Sequence, residues 1–404
     1  MKARYRYRIY PKPRQQVILA KTFGCVRVVW NDALAHCRSM RTDGSKTPSG
    51  YDLKKLVVTQ AKRTPERAWL AEVSSIAINE SVLDLGVAFK NFFASITGKR
   101  QGARVNPPRF KSRRHRQSFR LTRGGFSVHS QSVKLAKIGH VHMKVSRALP
   151  SAPSSVTVIK DASGRYFASF VVDVPDTPLP ECDAVVRIDV GLETYATLST
   201  GEKVDNPRWL RKLLPKLRRY QKSLSRKQKG SSNWHRQRQK VAKLHAHITD
   251  CRTDFIHKLS TRLVRENQAI SVEDLCVKGL VRTRLAKSFS DAGLGQFVTM
   301  VEAKCNRYGR HFVKVDRFYP SSQVCSACGH RDGKKPLNIR RWQCSQCGTS
   351  HDRDVNAAVN IKVAGGLSET RNGCGDGVSP EATRAVVCEA ATHPNRECKQ
   401  LSLR

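Results

Sequence analysis

The first regular pattern in the chain alternates. Arg4, Tyr5, Arg6, Tyr7, Arg8, Ile9 and Tyr10 step with a period of two until Pro11 and Pro13 stop them, which predicts a strand over residues 4–10. From Ile78 the period changes. Val82, Leu85, Phe89, Phe92 and Ile96 advance by three and four, predicting one helix with a single buried stripe, ended by Gly98. Strand patterns return at 155–160 and 166–174, and the proline-rich run from Pro175 to Pro180 predicts a domain boundary. Beyond it, residues 184–191 read as a buried strand, 195–200 as a second strand after a tight turn, and 269–275 as a third. Between them lie a helical stretch over 208–243 and a helical stripe through Phe255, Leu259 and Leu263. A last helix opens near Asp352, and no internal repeat is visible.

Charge sharpens this picture. The chain has 404 residues, more than one core usually takes, so two or more domains are expected. Its 74 Lys and Arg against 32 Asp and Glu leave a net charge of +42, which repels itself unless a polyanion neutralises it. Phosphate backbones are the commonest such partner. No acid occurs between Asp84 and Asp161, and within that gap basic residues crowd around Phe110 and Phe119. This predicts a phosphate-contacting surface that includes Arg109, Lys111, Arg113, Arg114 and Arg116. The stretch 208–243 holds fourteen Lys and Arg and no acid, so a helix pair gripping a nucleic-acid backbone is expected, with Arg218, Arg219, Arg226 and Lys227 among its contacts. The N-terminus lacks the apolar run of a signal peptide, and no run spans a bilayer. Four of the thirteen cysteines form two CxxC pairs and the rest are scattered, which suits a reducing compartment. A cytoplasmic protein without a membrane or small-molecule partner is expected.

The acids carry the candidate chemistry. Asp189 stands near the end of the first strand after the proline run, and Glu273, beside a competing Asp274, near the end of the third. Asp352 and Asp354 open the last helix, where capping accounts for one of them but less naturally for both. Each acid alone is ambiguous. Together they form the order of a ribonuclease-H-like site, in which two Mg²⁺ ions roughly 4 Å apart bind carboxylates and serve phosphodiester hydrolysis. Cys325-Ser-Ala-Cys328 and Cys344-Ser-Gln-Cys347 stand fifteen residues apart, each followed by a glycine. That spacing predicts one structural Zn²⁺ with a full thiolate shell.

With these motifs on the page, the chain resembles TnpB, the transposon-encoded RNA-guided DNA endonuclease related to the type V CRISPR effectors. The resemblance runs over most of the chain. It is carried by Arg8-Ile-Tyr-Pro11, Asp189-Val-Gly-Leu, Val272-Glu-Asp-Leu275, Leu285-Ala-Lys-Ser-Phe-Ser-Asp-Ala292, Phe318-Tyr-Pro-Ser-Ser-Gln-Val-Cys325, the second knuckle, and Asp352-Arg-Asp-Val-Asn-Ala-Ala358. It implies an α+β multidomain protein: a ribonuclease-H-like (RuvC-like) nuclease domain interrupted by the zinc ribbon, with an N-terminal β-rich wedge and a helical recognition domain. The corresponding boundaries are 1–13 and 121–180 for the wedge, 14–120 for the helical domain, 181–320 and 351–364 for the nuclease, and 321–350 for the ribbon. The tail from 365 reads as mostly disordered.

The resemblance also implies that Asp189, Glu273 and Asp354 are catalytic, the same acids singled out above. It adds a guide RNA from the transposon end, with one chain expected per RNA, and a double-stranded DNA target chosen by base pairing. Arg8, Tyr10, Ser321, Ser322, Gln323 and Arg353 complete the expected nucleic-acid contacts. One departure is Leu294, between Gly293 and Gly295, where family members commonly carry tryptophan. Two rival readings stay open on sequence: a non-cleaving DNA-binding regulator of the same descent, and a transposase joining strands through a tyrosine, for which His140-Val-His142 and His245-Ala-His247 supply the spacing but no convincing helical tyrosine follows.

Overall fold

The computed structural model describes residues 1–364 apart from 46–47, 101, 114–115, 274–278, 280–282, 316–321, 334, 337–338 and 340, and gives no side-chain detail at 358 and 361–364. The expected contacts Arg114 and Ser321, the competing Asp274 and the tail from 365 lie outside the described residues.

The alternating start forms strand β1 (Lys2–Tyr10). Tyr5, Tyr7 and Ile9 are buried, and the arginines between them point to the other face. Helices α1 (Pro13–Thr42), α2 (Gly50–Lys54) and α3 (Ser75–Ile96) follow. The stripe predicted for α3 is buried only over its first half. Ile78, Val82 and Leu85 are sealed, but Phe89 is only partly buried and Ile96 is exposed. Strands β2 (Gln117–Thr122), β3 (Phe126–His129), β4 (Ser132–Leu135), β5 (Gly139–Lys144), β6 (Ser155–Lys160) and β7 (Tyr166–Asp173) join β1 in a seven-stranded antiparallel sheet of order β2-β6-β7-β1-β5-β4-β3. One core, formed by this sheet with α1 and α3, ends at Val174.

A second core begins at Val186. Strands β8 (Val185–Val190), β9 (Thr194–Leu198) and β10 (Lys203–Asp205) are antiparallel neighbours. Helices α4 (Trp209–Ser225) and α5 (Ser232–Glu266) then cross to β11 (Ala269–Glu273), which lies parallel to β8. Two more helices, α6 (Ala286–Ala292) and α7 (Leu294–Tyr308), lead to β12 (His311–Val315), parallel to β11. The order β10-β9-β8-β11-β12, with three antiparallel strands followed by two parallel ones, is the expected ribonuclease-H-like sheet. The helical stripe at Leu259 and Leu263 is not a separate helix. It continues the 35-residue α5, whose first part, as far as residue 243, belongs to the acid-free basic stretch. Leu294 is buried at the start of α7, where it packs in this second core.

The ribbon contributes β13 (Arg341–Gln343) and β14 (Ser350–Asp352), an antiparallel pair, and runs directly into α8 (Arg353–Ala364). Among the described residues no helix is long and apolar enough to cross a membrane.

Candidate functional site

Strand alternation sorts the residues of β8. Val186, Ile188 and Val190 enter the core with α5 and α7, so Arg187 and Asp189 face the opposite side, against which α8 packs. On β11, Ile270 and Val272 enter the same core. Ser271 and Glu273 therefore share the face of Asp189. Val272 stands opposite Ile188 in the parallel register, which puts Glu273 level with Asp189 on the adjacent strand, about 4.8 Å away along the hydrogen-bonding direction. Asp354, in the first turn of α8, comes down on this pair.

The electrostatics report the same convergence. Burial pushes the Asp189 carboxyl up to about 7, with the charges of Glu273 and then Asp354 adding to it. Asp189 and Asp354 line a cleft of about 550 Å³. Three carboxylates so arranged offer hard oxygen donors and repel one another, the donor set a divalent cation such as Mg²⁺ neutralises.

Asp352 does the capping. Its Oδ1 accepts from the amides of Asp354 (3.0 Å) and Val355 (3.2 Å), and Oδ2 pairs with Lys203 Nζ at 2.6 Å. Burial works to raise its pKa, but the Lys203 bond and the two amides together hold it below the ordinary value. The ambiguity between the two acids is thereby resolved in local structure: one satisfies the helix terminus and the other faces the cleft.

The turn after Asp189 needs glycine. A Cβ on Gly191 would meet the Thr194 carbonyl oxygen at 2.9 Å, so any side chain would force the β8–β9 turn open. The opposite wall was missed in the sequence. Arg208 adopts a left-handed backbone (φ 50°), and its Nη2 donates to the Glu193 carbonyl at 3.2 Å, tying the start of α4 to that turn. Asp291 accepts from the amides of Leu210 (2.9 Å) and Arg211 (3.2 Å), capping α4. Asn206, Arg208, Arg211 and Asp291 all line the cleft. Asp291 lay within the motif ending at Ala292, but its type and spacing gave it no role.

The ribbon cysteines converge. Their four Sγ atoms lie within 4.8 Å of one another, with Cys325–Cys347 at 3.6 Å and Cys328–Cys344 at 3.7 Å. Tetrahedral zinc with Zn–S bonds of about 2.3 Å separates its sulfurs by about 3.8 Å, so the cluster fits that ion. The two knuckles repeat one geometry: the amides of Gly329 and Gly348 donate to the carbonyls of Cys325 and Cys344, and the Cys325 and Cys344 amides donate to the carbonyls of His330 and Thr349. The hydroxyl and amide of Thr349 draw the Cys347 thiol down to about 6. His351 Nε2 lies 3.0 Å from Cys325 Sγ.

The expected nucleic-acid contacts divide. Arg8 lies on the outer face of the seven-stranded sheet, its guanidinium 5.1 Å from the Phe167 ring and 5.5 Å from that of Tyr10, which is itself exposed. Arg109 is exposed, and the backbone around it is strapped to α1 by Trp30 and Asn31. Arg113 and Arg116 line a basic crevice of about 910 Å³ with Arg6, Arg27, Lys160 and Arg238. Lys111 turns inward instead, 3.6 Å from the Trp30 ring, and burial lowers its pKa to about 8. Arg218 and Arg219 stand exposed on α4, whose Leu217 is buried against α5, and Arg226 and Lys227 cap the hairpin. Ser322 and Gln323 are half-buried, and the Gln323 carbonyl accepts from the Asp332 amide. Arg353 donates to the Pro336 carbonyl at 2.7 Å and so points into the ribbon. His245 and His247 stand two positions apart on α5, about 200° around the helix, and do not converge on one ion.

Comparison with known proteins bears on the same features. A family described as "Probable transposase" matches residues 169–284, "Cas12f1-like, TNB domain" matches 295–361, and "Helix-turn-helix domain" matches 1–46, which fold here as β1 and the single helix α1. A Streptomyces pristinaespiralis protein named "Putative RNA-guided DNA endonuclease" is 44% identical over 98% of this chain and 97% of its own. An Escherichia coli protein named "Putative RNA-guided DNA endonuclease InsQ" is 29% identical over 89% of this chain and 92% of its own. A cryo-EM structure of a Cas12f1-sgRNA-target DNA complex shares the fold, with TM-score 0.55 and 10% identity over 89% of this chain and 98% of that one.

Proposed function

This chain belongs to the TnpB family, and from that premise we propose that it is an RNA-guided DNA endonuclease whose cutting site is the cleft at the end of β8 and the start of α8, with Glu273 of β11 beside it. The observation that carries the reading is the meeting of three acids far apart in sequence, Asp189 and Glu273 on one face of the sheet and Asp354 on the helix packed against that face. They would hold divalent cations, Mg²⁺ in the first instance, which when bound supply an activated water and charge neutralisation at the scissile phosphate. Asp189 and Asp354 present their oxygens to the cleft, and Arg208 and Arg211 bring positive charge to its opposite wall, where a phosphodiester strand would lie. Asp352 supplies the side-chain cap at the start of α8, while Asp354 lines the cleft.

The relatives' names, the +42 charge and the basic crevice support a guide RNA and a DNA target as partners. The ribbon would hold one structural Zn²⁺. The test is cleavage of a plasmid library by protein co-expressed with its flanking transposon-end RNA, in Mg²⁺, beside an Asp189→Ala control. Guide-matched cutting that disappears in the control is expected. RNA-dependent binding to the matched site without cutting would refute the nuclease reading and favour a regulator.

A further inference from the structure

Two buried amides tie α8 to the thiolate knuckle. Asn356 and Asn360 are 2% and 4% exposed and lie one turn apart on the same face of the helix. Asn356 Nδ2 donates to the Val324 carbonyl at 2.7 Å while its Oδ1 accepts from the Ser326 amide at 2.9 Å. Asn360 Nδ2 donates to the same Val324 carbonyl at 2.6 Å. Val324 and Ser326 are the neighbours of Cys325, so Asn356 holds the backbone on both sides of a zinc ligand and Asn360 holds it on one. From the other side, Arg187 Nη1 donates to the Val359 carbonyl at 3.2 Å, fastening the helix to the sheet.

Burying two primary amides is costly unless their partners are held in place, and an apolar pair would close the same gap without that requirement. What hydrogen bonds add is rotational register. Asp354 precedes Asn356 by two residues, about 200° around the helix, so fixing the asparagine face fixes where the carboxylate points. A carboxylate about 6 Å from the helix axis moves about 1.6 Å for a 15° rotation, whereas metal–ligand distances are satisfied within about 0.2 Å.

We propose that Asn356 and Asn360 are positioning residues for cleavage: through the Val324 carbonyl and the Ser326 amide they set the rotation of α8 against the knuckle, and thus the position of Asp354. This makes the ribbon part of the metal-binding geometry of the cleft and not only a fold staple. It rests on the reading of Asp354 as a ligand for the divalent ion.

The experiment uses full-length, RNA-loaded Asn356→Leu and Asn360→Leu proteins, with Asp354→Ala as control. Three quantities are measured: zinc per chain, Mn²⁺ binding to the carboxylates by electron paramagnetic resonance, and cleavage resolved into kcat and KM for DNA. The expected result is unchanged zinc content and KM, a Mn²⁺ dissociation constant raised about 10-fold or more, and kcat lowered about 10- to 100-fold. Unchanged Mn²⁺ affinity and kcat in both variants would overturn the proposal. So would loss of zinc or of folding in both, because the amides would then hold the ribbon itself. If Asp354→Ala binds Mn²⁺ and cuts normally, the reading of the cleft fails instead, whatever the asparagine variants do.

Discussion

Asp189→Asn should stabilise the protein in the absence of divalent metal, by an amount that grows as pH rises above the ordinary carboxylate value. The folded carboxyl titrates at about 7 against an ordinary 3.8, so its folded-state value is raised. Below 3.8 both states are protonated and the asparagine gains nothing. As pH rises toward 7 the unfolded chain releases its proton while the folded one retains it, and wild-type stability falls by up to about 1.4 kcal/mol per pH unit. The gap from 3.8 to about 7 sets a ceiling of about 4 kcal/mol, reached once the folded carboxyl ionises. Asparagine has nearly the same shape and no charge, so it escapes this loss. Hydrogen exchange of the β8 and β11 amides reads the opening of this core separately from the seven-stranded one. Measured in magnesium-free buffer without chelator, which leaves the ribbon loaded, the variant should be more stable at about pH 8, and by less at about pH 5. Added Mg²⁺ should reverse the order by stabilising only the wild type. A variant no more stable than wild type at about pH 8, or a gain independent of pH, would refute the argument that burial, reinforced by the charges of Glu273 and Asp354, raises the Asp189 pKa.

Other substitutions separate the roles of neighbouring residues. Asp352→Ala should cost about 1 kcal/mol through the lost cap yet retain measurable cleavage, whereas Asp354→Ala should retain none; equal loss in both would contradict the division between cap and ligand. Because the folded Asp352 pKa is depressed, its stabilising contribution should be present near neutrality and fade as pH falls through the acidic range, which acid titration of helix content in the wild type and Asp352→Asn can follow. Cys325→Ser or Cys344→Ser should drop zinc from one per chain to none and expose the ribbon to proteolysis, and a fully stable zinc-free variant would disprove the thiolate site. RNA affinity should fall steeply with salt, and the double change of Arg113 and Arg116 to Ala should flatten the logarithmic salt dependence by about 2, read by filter binding over a salt series.

Much of the architecture was legible because strands and helices write their periods into the sequence. The alternation of Arg4 to Tyr10 became β1, and the acids at 189 and 273 fell on one face because strand parity fixes which residues avoid the core. The four cysteines met because two knuckles of that spacing have few other ways to fold. The failures were tertiary. Nothing local tells that Ile96 stays exposed, or that Lys111, in the middle of a basic run, prefers the Trp30 ring and burial to solvent. Arg208 and Asp291 could not be found by periodicity, since one works through an unusual backbone angle and the other caps a helix that lies some eighty positions earlier.

The order in which the three acids arrive along the chain has an evolutionary consequence. The seven-stranded core and its cationic crevice rely mainly on residues that precede 175, whereas the proposed cutting site stays incomplete until α8 supplies Asp354. On that proposal, a premature stop or frameshift between Glu273 and Asp354 would disarm the molecule while sparing most of the residues of the basic crevice. A mobile element carrying such a lesion has moved, in one genetic event, from encoding a cutter toward encoding an occupant of nucleic acid, and selection acting on truncated copies starts from that material.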